Sequence, residues 1–351
     1  ALVGHEAAEA VLLRAVRSGR LPHGWLISGP RGIGKATLAY RFARFLLAGA
    51  GGADTGADLF GEAPAPETLR IPPDDPVFHR VAAEAHPDLR TLARGVNERS
   101  GKPRGEIVVD DVRSVGEFLH RTAAEAGWRI VIVDAIDEAN PNATNALLKA
   151  LEEPPARALL LLVSHAPGRL LPTVRSRCCH LALEPLSEEA VFGLLVSYAP
   201  DLPRDDAAAL ARLAEGSIGR ALALAEGGGL ELYRELVAIL NDLPRLDVPR
   251  VHALAESLAR DAEGRRFRTG MELLAWWLGR MIRTAARGQE PAEVVAGEAA
   301  LAARLLERRG LARWLTLWEK ITGLQARAEG VNLDRRQVVI TAMLEFEAVA
   351  A

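Results

Sequence analysis

Apolar positions follow two regimes along this chain. Up to about residue 184, short continuous apolar runs alternate with stretches of helical spacing. Residues 6–17 (EAAEAVLLRAVR) carry helical periodicity, and Gly19 with Pro22 ends that element. Trp25-Leu26-Ile27 reads as a strand and Leu38 to Leu47 as a helix. Residues 48–75, rich in Gly, Ala, Pro and Asp, read as a surface insertion. His86-Pro87-Asp88 leads into a short strand, Leu89 to Leu92, and the polar residues 95–105 read as a loop. Ile107-Val108-Val109 with Asp110-Asp111 opens a helix predicted to run to about Ala126.

Arg129 to Asp134 is a β-branched run ending in a carboxylate, apolar enough to be buried on both faces as in a parallel sheet. Asn140-Pro141 supplies an N-cap and a first-turn proline for a helix carrying Asn145, Leu147, Leu148 and Leu151, which Pro154-Pro155 stops. Ala158 to Val163 is the next buried strand. Strands alternating with helices in this way predict an α/β three-layer domain with crossover connections.

From Leu186 onward the pattern offers no further strand. Residues 187–228 hold short helical patterns broken at Pro200, Pro203 and Gly216, and residues 230–351 are helical almost throughout. Trp276, Trp277, Trp314 and Trp318 lie at helical spacing and are expected in the core. The expected layout is an α/β domain over residues 1–184, a small helical domain over 185–229 and a helical C-terminal bundle over 230–351.

The 351 residues suffice for two or three domains with their own cores. Half of the residues are hydrophobic but only 5% are aromatic, a balance dominated by Ala, Leu and Arg that favours helix. With a net charge of −3, no global field recruits nucleic acid. The two cysteines, Cys178 and Cys179, are adjacent, so they form neither a disulfide framework nor a zinc site; no metal is expected. No N-terminal stretch reads as a signal peptide and no apolar run is long enough to span a bilayer, so a cytoplasmic chain without membrane contact is expected.

The candidate chemistry centres on Gly29-Pro30-Arg31-Gly32-Ile33-Gly34-Lys35-Ala36-Thr37, set between the first strand and its helix. Gly29, Gly34 and Lys35 meet the G-x-x-x-x-G-K phosphate-loop pattern. Glycines here, Gly32 included, let the backbone wrap a polyphosphate, and Lys35 can reach its terminal oxygens. Ala36 stands where a Ser or Thr would hold magnesium. Thr37 is one residue late, about 100° further round the helix, so it does not simply substitute. Asp134 ends its strand where a carboxylate can orient a magnesium-bound water, and Ala135 follows it where a water-polarising Glu would sit. Glu138 is expected to point elsewhere, and Asp137 to cap or orient the segment that follows it.

Several blocks resemble the AAA+ clamp-loader subunits of bacterial DNA polymerase III. Asn145-Ala146-Leu147-Leu148-Lys149-Ala150-Leu151-Glu152-Glu153-Pro154-Pro155 is similar to that family's helix after the Asp-ended strand, Arg175-Ser176-Arg177-Cys178 to its Ser-Arg-Cys motif, and Gly216-Ser217 to its second sensor segment. Asn332-Leu333 fits the start of its last helix. The resemblance implies an AAA+ P-loop domain, a helical lid and a collar that holds a ring together. Where motor subunits of the family carry an arginine at the fourth position of the Gly-Ser segment, this chain has Gly219, and Arg220 is one residue off. Residues 48–85 also lack the four-cysteine zinc module of many motor relatives.

With Ala36, Ala135 and Gly219 in place of catalytic groups, the resemblance implies a non-hydrolysing subunit. ATP or ADP binding at Gly29, Gly32, Gly34, Lys35, Thr37 and Asp134 is then weakened and not required. Arg177 is kept, as a finger for a neighbour's ATP. The implied partners are motor and delta subunits in a hetero-pentamer, a sliding clamp, and primed DNA through the complex. The competing expectation is an active ATPase motor in which Thr37 and Glu138 stand in for the missing groups. A small-metabolite kinase would leave the helical C-terminal half without a task.

Overall fold

The computed structural model describes residues 2–49, 66–95, 104–125, 127–289, 293–330 and 333–351. Most of the expected insertion and of the 95–105 loop, together with Asn332, lies outside the described residues. The chain divides into two compact units, Ala1–Ala190 with Gly216–Gly219, and Val191–Glu215 with Arg220–Ala351.

The first unit is built on a parallel sheet. Its strands are β1 (Gly24–Ser28), β2 (Leu89–Leu92), β3 (Arg129–Asp134), β4 (Ala158–Ser164) and β5 (Cys179–Ala182), in the order β2-β3-β4-β1-β5. Every residue of β4 and the inner four of β3 are buried, which is what their unbroken apolar runs require. Side chains alternate across the sheet. Ile27, Ile130, Ile132, Leu159, Leu161 and Val163 join one core with helices α1 (Glu6–Arg17), α2 (Lys35–Leu47) and α3 (Pro76–Ala82). Leu26, Val131, Val133, Leu160 and Leu162 join the other with α4 (Val109–His120), α5 (Pro141–Glu152) and α6 (Pro172–Arg175). This is the expected three-layer α/β domain. In register, Ile27 lies beside Val163 and Asp134 beside Val163 on the other side, so the carboxyl ends of β1, β3 and β4 meet at one edge. Ligands of open α/β sheets bind at that edge.

Two expectations need correction. The helix opened by Asp110-Asp111 ends at His120, not near Ala126. The buried Asp88 carboxylate accepts the backbone N–H groups of Ala124 and Glu125 at 2.7 and 2.9 Å, and this tertiary capture outcompetes a further helical turn. Strand β5 was absent from the pattern reading because it is an edge strand, paired only with β1, and of its four residues only Leu181 is buried. Elsewhere local signals sufficed: Asn140 Oδ1 accepts the Ala143 N–H at 2.9 Å, with Pro141 as the first residue of α5.

The second unit is helical. Trp276, Trp277 and Trp314 are buried as expected, and Trp318 is partly buried, donating Nε1–H to the Ala275 carbonyl at 3.1 Å. Gly279 permits this, since a Cβ there would lie 3.0 Å from the Trp318 indole nitrogen. Buried Glu298 pairs with Arg280 at 3.5 Å and accepts the Val294 N–H at 3.1 Å, so this buried carboxylate is answered from two sides. Among the described residues no helix is long and apolar enough to cross a membrane.

His86 makes the first unit's stability pH-dependent. Its ring is buried, Nδ1 accepts the Asp88 N–H at 3.2 Å, and burial above all pushes its pKa below the ordinary 6.5. The unfolded chain therefore binds more protons once pH drops under 6.5. Stability is present above that value and is lost as pH falls towards and through the folded-state pKa. Melting curves between about pH 7.5 and 5.5 should show a decline in stability that is shallower in His86→Gln. Identical slopes would remove His86 from the account.

Candidate nucleotide site and edge arginine

The phosphate loop leaves the carboxyl end of β1 and runs into α2. Gly29 takes φ +145° and lies so close to the next strand's exit that a Cβ would meet the Leu183 carbonyl at 2.5 Å. Gly34 takes φ +105° and caps α2 without any side-chain acceptor, leaving the first amides of that helix to other partners. Between them Ile33 is buried and anchors the loop. Its carbonyl accepts from Nε2 of buried His5 at 2.6 Å, which fixes the proton of that ring on Nε2.

A third segment seats on the loop from far along the chain. Ser217 Oγ donates to the Arg31 carbonyl at 2.8 Å, and the Gly219 N–H donates to the Gly32 carbonyl at 3.0 Å. A Cβ at Gly219 would stand 2.9 Å from the Gly32 Cα. An arginine at this position therefore collides with the loop before its guanidinium reaches anything. Arg220 instead pairs with Glu215 at 3.8 Å.

Lys35 is buried and turned inward. Its Nζ donates to the loop's own carbonyls, Gly29 at 2.8 Å and Pro30. Burial lowers its pKa to about 8, against the opposing pull of Asp134 and Asp137. Asp134 is half-buried; desolvation raises its pKa, partly offset by His165 and Lys35. The structure thus brings Gly29, Gly32, Gly34, Lys35 and Asp134 to one edge. Thr37 is not brought into this group: it is exposed on α2, and part-buried Ala36 presents a methyl where a hydroxyl would be needed.

The candidate stand-ins for a base are committed elsewhere. Ala135 is buried, and Glu138 is bridged by Arg31 and, at 2.7 Å, by Arg94. Asp137 does not cap the following segment; its Oδ1 accepts the His165 N–H at 2.9 Å, holding the exit of β4. His165 escaped the sequence reading. It follows β4 directly, burial holds its pKa below the ordinary value, and Lys35 adds to that. The only sequence signal was a polar residue closing an apolar strand. Position 36 therefore offers a methyl and not an oxygen to a metal, and position 135 carries no carboxylate. Among the described residues no group of three or more His, Cys, Asp or Glu could hold a metal ion.

Arg177 lies at the opposite end of the sheet. It precedes β5, and a Cβ on Gly24, the first residue of β1, would meet the Arg177 carbonyl at 3.2 Å. The phosphate loop leaves the other end of that five-residue strand, about 15 Å away at the usual rise. The guanidinium is at the surface, with 35% of the side chain exposed. Its Nη2 pairs with Glu152 at 2.7 Å and its Nη1 donates to the Thr173 carbonyl at 3.0 Å. The neighbouring Cys178 thiol is pushed up to about 12 by burial, which makes it an inert packing group.

Residues 67–187 match the family model described as DNA polymerase III, delta subunit. The chain is 38% identical over 195 residues to a DNA polymerase III subunit delta′ of Pseudomonas aeruginosa, covering 56% of this chain and 53% of that protein. It is 33% identical over 230 residues to the Escherichia coli subunit delta′, covering 65% and 62%. A DNA polymerase III subunit gamma of Buchnera aphidicola is 26% identical over 252 residues, covering 69% and 63%. The matches span between about half and five-eighths of these relatives' own length.

The seating of residues 216–219 on the loop is measurable. Gly219→Ala should lower stability by about 1–3 kcal/mol through overpacking, read as a fall in melting temperature. An unchanged melting temperature would mean that this segment does not rest on Gly32.

Proposed function

We propose that the chain, whose residues 67–187 match the model described as DNA polymerase III, delta subunit, is a delta-prime-type clamp-loader subunit that lends Arg177 to a neighbour's ATP site while hydrolysing none itself. The single observation behind this reading is the separation of Arg177 from its own phosphate loop by the length of β1. A guanidinium at the amino end of the strands cannot stabilise charge on a phosphoryl group held at the carboxyl end. It is partly exposed just before an edge strand, where a second subunit can bring its own nucleotide to it.

The home site supports the same division of labour. Phosphoryl transfer depends on a metal that neutralises charge, a positioned water and cationic groups on the transferring phosphate. Here Ala36, Ala135 and Gly219 occupy those positions, and Lys35 is held by Gly29 and Pro30. A nucleotide would have to displace charge-assisted hydrogen bonds, each contributing about 1.5–3 kcal/mol. Nucleotide binding is weak in this proposal, and no cofactor is required. The subunit serves as a fixed wall of a hetero-pentamer with motor and delta subunits. It supports opening of the sliding clamp and its placement on primed DNA in the cytoplasm. Within the second unit, residues up to about 229 act as lid and the remaining helices as collar.

Reconstitution with the motor and delta subunits, clamp and primed DNA tests the proposal. Arg177→Ala should leave the assembly intact on size-exclusion chromatography and lower clamp loading by at least about tenfold, a conservative share of what an arginine finger contributes. Loading at the wild-type rate would remove the finger role.

A further inference from the structure

We infer that Glu152 is a positioning residue for the Arg177 finger: its carboxylate, together with the Thr173 carbonyl, holds the guanidinium in the orientation it presents to a neighbouring subunit. This inference rests on the finger reading of Arg177 given above.

The backbone beneath the finger is tightly fixed. A Cβ at Gly24 would meet Leu151 of α5 at 3.0 Å, the Arg177 carbonyl at 3.2 Å and Cys178 Sγ at 3.4 Å. The end of α5, the start of β1 and the backbone of Arg177 therefore share one packed point. His23 adds a link, its Nε2 donating to the Leu151 carbonyl at 3.0 Å. What remains free in such a frame is the long arginine side chain, whose rotatable bonds otherwise scatter the guanidinium over the surface.

Two acceptors restrict it from separate elements. Thr173 of α6 takes Nη1 at 3.0 Å, and Glu152, the residue after Leu151, takes Nη2 at 2.7 Å. Ser176 Oγ is a distant third at 3.5 Å from Nη1. The Nε–H has no partner among the described residues, and Nη2 keeps a second N–H beyond the one facing Glu152. The planar fork is oriented yet still has donors to give to a phosphate.

The location of Glu152 argues against an incidental surface pair. It is the last residue of α5, and Glu153 follows as the C-cap. The C-terminal end of a helix carries the negative pole of the macrodipole, so a carboxylate there is unfavourable unless a cation answers it. Lys149 lies in the same last turn but pairs with neither glutamate; the cation that meets Glu152 is Arg177.

The test uses the reconstituted complex at saturating concentrations of this subunit, comparing wild type, Glu152→Ala, Glu152→Gln, Arg177→Ala and the Glu152→Ala/Arg177→Ala double variant. Glu152→Ala should lower DNA-dependent ATP turnover about two- to fivefold, the scale of an exposed ion pair, with the half-saturating subunit concentration unchanged. Glu152→Gln keeps an acceptor oxygen and should retain about half the rate or more. In the Arg177→Ala background, Glu152→Ala should have no further effect. Normal turnover with Glu152→Ala alongside a loss with Arg177→Ala would overturn the positioning role and leave the finger standing. Faster turnover with Glu152→Ala would overturn it too, making the carboxylate a restraint. A loss that persists without Arg177 would assign Glu152 a purely structural task. No loss with Arg177→Ala would remove the finger, and this inference with it.

Discussion

The direction of strand β1 is the constraint from which the rest follows. It is five residues long, with a phosphate loop leaving one end and an arginine's backbone packed against the other. Parallel pairing with β4 and β5 fixes that polarity, because each partner is locked to it by backbone hydrogen bonds in register. No side-chain rotation brings the two ends together. A chain with this sheet order presents two chemically distinct edges, separated by the length of β1.

At the carboxyl edge the groups that a nucleotide would need are engaged with one another. Lys35 answers the carbonyls of Gly29 and Pro30, Ser217 and Gly219 answer those of Arg31 and Gly32, and His5 answers that of Ile33. Each bond satisfies a backbone acceptor that a tight glycine-rich turn leaves without a helix or sheet partner. The loop is thereby stabilised as structure. Gly219 illustrates this: a glycine lets the helix start rest on the loop, where an added Cβ would stand 2.9 Å from the Gly32 Cα. At the amino edge the situation is reversed. Arg177 has a firm backbone and a partly exposed, only partly engaged head.

Much of this was legible in the sequence because the signals were local. The apolar runs of β3 and β4, the Asn140-Pro141 start of α5 and the spacing of Gly29, Gly34 and Lys35 each depend on residues close in the chain. What could not be read depended on contacts between distant segments. Asp88 ends α4 through residues 36 and 37 positions away, and Glu138 reaches Arg31 across 107 positions. Ser217 reaches Arg31 across 186. Strand β5 was missed because an edge strand with one buried side chain has almost no apolar pattern to show. The glycine at 219 was legible as a missing arginine, whereas its steric necessity appears only once Gly32 is seen beneath it.

ATP turnover by the isolated chain, with magnesium and without partner subunits, bears most directly on the claim that this subunit has given up its own hydrolysis. Wild type should release phosphate no faster than Lys35→Ala, at the background of a buffer control. Turnover well above that background which Lys35→Ala abolishes would contradict the claim and show that the loop at the carboxyl edge still works.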